Sequence, residues 1–225
     1  MGNLNAIIGA VKYHFNDRHA VRLEGRYARG KAEYTGGAAP SEDEPEGLPY
    51  GSIVTKNIPR KSYDIRAIYE YNYPIREGMT AIAEAGLGHR VLRDLSSRKD
   101  EDAYDRKNVT TYAHIGAGLN IQLPNQFEFT PKVAYNHGLR GRQYSYSDGK
   151  IEMKQPHAKG FELDLSVSKT FENGNKLSFG PFYRGWKVFD SDDASILDEE
   201  TGKQLQINEP KNRMREVGFK LQYTF

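Results

Sequence analysis

The chain has 225 residues with 32 basic and 30 acidic side chains and no cysteine. A formal net charge of +2 argues against a nucleic-acid-binding protein, which would carry a clear basic excess. The absence of cysteine excludes a disulfide framework, a thiolate metal site and a catalytic thiol. Mean hydropathy is −0.76, and no apolar run approaches the roughly 20 residues of a membrane-spanning helix. These numbers exclude a helical membrane protein but not a β-barrel, in which only alternate residues face lipid.

Hydrophobic residues recur with a period of two along most of the chain, which is the pattern of β-strands with two different faces. The predicted strands lie near residues 4–15, 20–34, 61–73, 79–92, 109–123, 127–137, 159–171, 176–188 and 214–225. Most of them exceed the 5 to 6 residues that are common in globular proteins. Their length fits tilted membrane strands of about 9–11 residues that continue beyond the bilayer.

The predicted connections alternate between short and long. Short turns rich in Pro, Gly and Asn lie at 16–19, 74–78, 124–126 and 172–175. Long charged loops lie near 35–60, 93–108, 138–158 and 189–213. Short turns at one end and long loops at the other are typical of a transmembrane β-barrel.

The count of nine strands is odd, whereas bacterial single-chain barrels normally have an even number. We therefore predict an antiparallel up-and-down transmembrane β-barrel with nine visible strands and ten in the intact protein. Residues 1–225 would form a single barrel domain that lacks an N-terminal strand. Alternatively, a strand has been miscounted or lies within a long loop, where Tyr50–Thr55 is the best candidate. Because residues 1–5 show no export signal, we interpret Met1 as an artificial start.

The C-terminal strand places apolar residues on one face up to an aromatic end. These residues are Val217, Phe219, Leu221, Tyr223 and Phe225. Together with the alternation elsewhere, this ending resembles that of bacterial outer-membrane β-barrel proteins, of a small opacity-type or porin-like kind. In that family the terminal pattern is the assembly signal read by the barrel-assembly machinery. The resemblance implies location in the bacterial outer membrane and contact with its lipid and lipopolysaccharide.

The apolar face of each strand should contact lipid, because Arg or Lys at mid-bilayer costs roughly 2–4 kcal/mol. The opposite face should then line the interior. Its basic residues are Lys12, Arg22, Arg26, Arg66, Arg90, Lys132, Arg184 and Lys220, and its acidic residues are Glu24, Asp64, Glu70, Glu84, Glu128, Glu162, Asp164 and Glu216. Equal numbers of both signs are compatible with a packed, charge-paired core or with a narrow water-filled channel of weak ion selectivity.

Other chemistry finds little support. No histidine spacing is typical of a metal site, and no cofactor is expected. His114 on the polar face is interpreted as a hydrogen-bonded interior residue. An enzyme at the outer rim would need an acid–histidine pair. The only candidate set is Asp192 and Asp193 with His137. The cluster 190–193 could offer oxygen ligands to Ca²⁺ but lacks EF-hand spacing and is better explained as a solvated loop.

The third long loop carries a basic cluster with two tyrosines. Its members are Arg140, Arg142, Lys150, Lys154, Tyr144 and Tyr146. Outward loops of such barrels meet lipopolysaccharide phosphates, which Arg and Lys bind, although a solvated loop explains the same residues.

We therefore predict an integral outer-membrane barrel that is either a small-solute, porin-like channel or a structural surface protein with a charge-paired interior. Two alternatives remain open at this point. One is an outer-membrane enzyme acting at the outer rim on lipid or peptide. The other is a soluble ligand-binding β-barrel, which would enclose Tyr69, Leu165 and Phe219 in a dry centre.

Overall fold

The computed structural model describes residues 2–38, 48–99, 103–146, 149–197 and 204–225. The strands are β1 Leu4–His14, β2 His19–Ala38, β3 Leu48–Arg76, β4 Met79–Asp94, β5 Asp105–Leu123, β6 Phe127–Tyr146, β7 Ile151–Lys154, β8 Ala158–Thr170, β9 Lys176–Val188, β10 Ala194–Leu197, β11 Gln204–Ile207 and β12 Asn212–Thr224. In these ranges the helical structure is one 3₁₀ turn at Ser96–Arg98. No described helix is long and apolar enough to cross a membrane.

Nine of the strands form one antiparallel series in which each strand pairs with the next. Their order is β1-β2-β3-β4-β5-β6-β8-β9-β12, with β1 and β12 at the two edges. The short β7 pairs with the outer part of β6, and β10 and β11 form a separate hairpin. The nine strands agree with those predicted from the sequence, which confirms the all-β up-and-down barrel architecture.

The tight turns at one end of the barrel use residues that tolerate a left-handed backbone. Gly78 and Gly174 have φ angles of 69° and 83°, and Asn125 and Gln126 have φ angles of 61° and 63°. At the first turn, the Asn16 side chain accepts hydrogen bonds from the backbone amides of residues 18 and 19. These turns set the hairpin registers, since the pairing begins within a residue or two of each.

Several strands continue further into the predicted long loops than the hydrophobic pattern indicated. β2 extends to Ala38 and β3 begins at Leu48, so Tyr50–Thr55 belongs to β3 and is not an additional strand. The predicted loop 138–158 likewise contains the end of β6 and all of β7. Beyond the bilayer both faces of a hairpin meet water, so the backbone still pairs although the alternation of apolar and polar residues is lost.

The two faces of the curled sheet differ in polarity: the outer face is apolar and the inner face is charged. A soluble barrel has the opposite arrangement. Tyr69 and Phe219 expose 43% and 72% of their surface on the convex side, whereas Arg66 on the concave side exposes 9%. The apolar band continues around the outside through residues such as Ile65, Leu87, Ile115 and Phe179, which are all exposed. Charged side chains are thus inside and apolar side chains outside.

Candidate functional site

The polar interior is the candidate site, and its centre is an ion-pair cluster around Arg66. The guanidinium of Arg66 on β3 lies 2.7 Å from Glu24 on β2 and 3.0 Å from Glu162 on β8. Glu162 also accepts a hydrogen bond from Asn136 Nδ2 at 2.8 Å and lies 3.6 Å from Arg184. Because β3 and β8 are far apart in the sheet, this cluster joins opposite walls.

A second charged cluster lies closer to the short turns and surrounds two carboxylates. Glu70 accepts a hydrogen bond from Lys12 Nζ at 2.6 Å and lies 3.3 Å from Arg22. Glu84 lies 3.1 Å from Arg22 and 2.7 Å from Lys132. Five strands contribute to this cluster, so each carboxylate is compensated by cations from other strands.

His114 on β5 is fully enclosed between these two clusters. Its Nδ1 hydrogen-bonds with Asn136 Oδ1 at 2.8 Å, and its Nε2 lies 3.5 Å from Glu84 Oε2. Both ring nitrogens therefore have partners and face no open space, which fits a structural residue better than a catalytic base.

Further pairs line the remaining interior. Arg26 on β2 donates a hydrogen bond to Glu216 on the edge strand β12 at 2.7 Å, which links the second and last strands of the series. Lys176 pairs with Glu128 at 2.8 Å. Lys220 pairs with Asp164 near the short-turn end. The structure thus gives most of the sequence-predicted interior charges a partner of opposite sign.

An aromatic cluster lies in the interior on the long-loop side. Tyr112 and Trp186 pack edge-to-face with ring centroids 5.1 Å apart, and the Arg90 guanidinium lies 5.0 Å from the Trp186 ring. The same cluster includes Leu92, Ala158, Val188 and Met214. Tyr112 donates a hydrogen bond to Asp64 at 2.7 Å.

Sequence reasoning did not identify the packing of Tyr112 against Trp186, because the apolar members of the cluster interrupt an otherwise polar face. Glycines on neighbouring strands were the available signal. A Cβ at Gly88 would lie 2.2 Å from Tyr112 Cζ, and one at Gly160 would lie 3.0 Å from Trp186 Cε2. The two large rings therefore occupy spaces that glycine leaves on β4 and β8.

A profile described as outer membrane protein OpcA matches residues 7–225. The chain belongs to the OpcA outer membrane protein family. The predicted resemblance to an opacity-type outer-membrane barrel and the predicted location in the bacterial outer membrane are confirmed. The soluble alternative is therefore wrong. No curated protein matches the chain.

At the outer rim of this OpcA-family barrel, Arg106 ties the loop before β12 to the barrel wall. Its guanidinium lies 3.5 Å from Glu209 Oε1 and donates a hydrogen bond to Tyr104 Oη at 2.9 Å. The centroids of the Tyr34 and Tyr104 rings lie 4.6 and 4.7 Å from the guanidinium carbon. Burial raises the pKa of the Glu209 carboxyl above its usual range, although Arg106 opposes the shift.

The described residues of this OpcA-family barrel do not bring together the acid–histidine pair considered for a rim enzyme. His137 lies on the outer face of β6 beside Tyr135, with ring centroids 6.4 Å apart. Asp193 accepts a hydrogen bond from Asn208 in the last long loop. Among the described residues, no hydrogen bond or ion pair joins His137 to Asp192 or Asp193.

The basic cluster of the third loop is partly neutralised in this OpcA-family barrel. Arg142 lies 2.5 Å from Glu152, and the Lys150 ammonium lies 4.8 Å from the Tyr144 ring. Asp190 accepts a hydrogen bond from the Lys211 backbone amide, which is a contact within the last long loop.

Proposed function

We propose that this OpcA-family chain is a structural surface protein whose barrel interior is filled by side chains and does not conduct solutes. The burial of the aromatic cluster is the observation that carries the proposal. Tyr112 is inaccessible to solvent and Trp186 and Arg90 are buried. Residues that line an aqueous pore would be hydrated, so their burial favours a blocked barrel over a porin-like channel.

The ion pairs beneath that cluster support the same proposal. A charge held in a low-dielectric interior is costly unless an opposite charge and hydrogen bonds compensate it. Arg66, Glu70 and Glu84 are each buried and each contact at least two groups of opposite charge. We therefore assign the predicted interior charges to a network that cross-links the walls.

We also propose that the exposed apolar face of β12 is the signal read by the barrel-assembly machinery. Val217, Phe219 and Leu221 each expose at least 70% of their surface, and Phe225 is 98% exposed. These side chains are accessible to a partner before lipid surrounds them. Their spacing supports recognition as an extended strand, which pairs through its backbone and is read through alternate side chains.

Planar-bilayer recording tests the blocked interior. The refolded protein should show no stepwise conductance, while an open porin in the same membrane should show it. A double variant, Tyr112→Ala with Trp186→Ala, removes the closing layer and should raise solute leakage from vesicles. Steady unitary steps in the wild-type protein, scaling with salt concentration, would overturn the proposal.

A further inference from the structure

The outer surface carries cations at one specific level of the barrel. Following the outward-facing residues of a strand from its apolar run toward the long loops, the first charged residue is Lys or Arg. This holds for eight strands: β2, β3, β4, β5, β6, β8, β9 and β12. We call these residues, with one further arginine on β12, the basic belt: Arg29, Lys61, Arg93, Lys107, Arg140, Lys159, Lys187, Arg213 and Arg215. A chain with nearly equal numbers of both charges has no general reason to keep acidic residues out of this position.

Strand register brings the belt into two continuous rows. Arg29 lies opposite Lys61, Lys61 opposite Arg93, and Arg93 opposite Lys107. On the other side of the barrel, Lys159 lies opposite Lys187, which lies opposite Arg213. Neighbouring strands are about 4.8 Å apart. Like charges directly opposite each other on paired strands destabilise a sheet, so an external anion would relieve their repulsion.

The protein supplies no such anion from the part of the chain that the structure describes. No belt residue makes an ion pair with a described carboxylate, whereas interior Arg and Lys residues commonly do. The contacts that belt residues do make are with rings. Lys107 lies 5.1 Å from the Tyr144 ring, and Lys159 and Lys187 lie 5.8 and 4.3 Å from Phe189. Their positive charges remain free to bind a ligand.

The position of the belt identifies what faces it. Directly below are paired aromatic residues, with Tyr27 and Tyr63 centroids 5.0 Å apart, and aromatic side chains of barrels mark the bilayer interface. Long loops of such barrels lie on the extracellular side. At the short-turn end the outward residues beyond the apolar band include Tyr73 and Phe127, with no comparable row of cations. The belt therefore lies at the headgroup level of the outer leaflet only.

We infer that the basic belt binds the phosphate groups of lipid A, the membrane anchor of lipopolysaccharide, with the row from Arg29 to Lys107 as its principal site. Guanidinium groups bind phosphate oxygens in pairs, and lysine ammonium groups add point charges. The other cations of the third-loop cluster, apart from Arg140, are less suited, because Arg142 already pairs with Glu152. The inference needs the outward orientation of these strands and is independent of whether the interior conducts.

Lipid binding to the full chain, refolded in detergent free of lipopolysaccharide, tests this site by native mass spectrometry. The probes are bisphosphorylated lipid A, its dephosphorylated form and phosphatidylglycerol. The variant is Lys61→Gln with Arg93→Gln, and the matched control is Arg76→Gln with Lys169→Gln at the short-turn end. Each surface cation contributes about fivefold to the affinity for an anionic lipid. Because the belt variant removes two cations, it should bind bisphosphorylated lipid A roughly 30-fold more weakly, while the control should bind like wild type.

Three results would overturn the inference. Equal binding by the belt variant and the control would show that the row is not the site. Equal wild-type affinity for all three lipids would show that lipid A phosphates are not recognised. Loss of binding only in a loop variant, Arg142→Gln with Lys150→Gln and Lys154→Gln, would move the site to the third loop. Far-ultraviolet circular dichroism on every variant separates lost binding from lost folding.

Discussion

Arg26 of β2 donates a hydrogen bond to Glu216 of β12 at 2.7 Å, although 190 residues separate them and their strands are not neighbours in the sheet. Both side chains are buried. β1 is the edge strand next to β2. The hydrogen bond from Arg26 therefore reaches past β1 to join the beginning and the end of the strand series.

We expect Arg26→Leu to lower the free energy of unfolding by about 3–5 kcal/mol, because it leaves the Glu216 carboxylate buried without its cation. The double variant Arg26→Leu with Glu216→Leu should recover much of that loss, since no unpaired charge remains. Urea unfolding of the protein in lipid vesicles measures both. Additive losses in the double variant would show that the two residues do not interact.

Gly88 makes room for Tyr112, so Gly88→Ala should destabilise the barrel by about 1–3 kcal/mol through overpacking. The new Cβ would lie 2.2 Å from Tyr112 Cζ, so the fully buried ring would have to shift. Gly25→Ala is the matched control, because nothing lies within 4 Å of its Cβ position. Thermal unfolding monitored by electrophoretic mobility should separate the two variants, and equal midpoints would contradict the packing argument.

A charge on the outer face of β3 should be costly only within the bilayer. Ile65 and Val54 are exposed to similar extents, 53% and 50%, but they lie on opposite sides of Lys61. Ile65→Arg should cost roughly 2–4 kcal/mol in a lipid bilayer, whereas Val54→Arg should cost less than about 1 kcal/mol. Unfolding in vesicles provides the measurement. Similar costs at both positions would show that the apolar band and the bilayer do not coincide.

The contact between Glu209 and Arg106 should depend on pH. Burial raises the pKa of Glu209 when the loop is docked. At pH values above the ordinary glutamate pKa of about 4.3, the docked loop therefore binds more protons than the undocked loop. Docking of this loop should therefore be strongest at low pH and weaken as the pH rises from that value through the raised pKa. Hydrogen exchange of residues 204–211 at several pH values tests the trend. Glu209→Gln should abolish it, and a pH dependence that persists in this variant would assign it to another group.

Phe225→Ala should reduce the amount of folded protein in the outer membrane while leaving folding into detergent micelles unchanged. The reason is that Phe225 is 98% exposed and contributes little packing, so its role would be recognition during assembly. Phe171→Ala, which removes an exposed aromatic side chain at another strand end, serves as the control. Equal membrane levels for both variants would argue against a terminal assembly signal.

The strands and their two faces could be predicted from the sequence because lipid imposes a strict alternation. The run from Tyr63 to Tyr73 shows this alternation clearly, and β3 contains all of it. Outside the bilayer that constraint ends, so the outer parts of β2 and β6 carry no comparable pattern and were predicted as loops.

Which interior charges pair could not be predicted, because the partners lie on strands brought together only by curvature. Arg66 contacts Glu162 across the barrel, and no spacing along either strand indicates that contact. The packing of Tyr112 against Trp186 could not be predicted for a related reason. Their packing depends on two glycines in other strands, Gly88 and Gly160. It can therefore be recognised only once the fold brings the four strands together.

The wall-to-wall ion pairs also constrain the order of events in biogenesis. A sheet that is still open leaves Arg66 and Glu162 apart, each facing the membrane or water without its counterion. Hairpins can form one at a time, but the charges are neutralised only when distant strands meet. Closure should therefore be a late, concerted event, and mispaired intermediates should be less stable because their interior charges stay uncompensated.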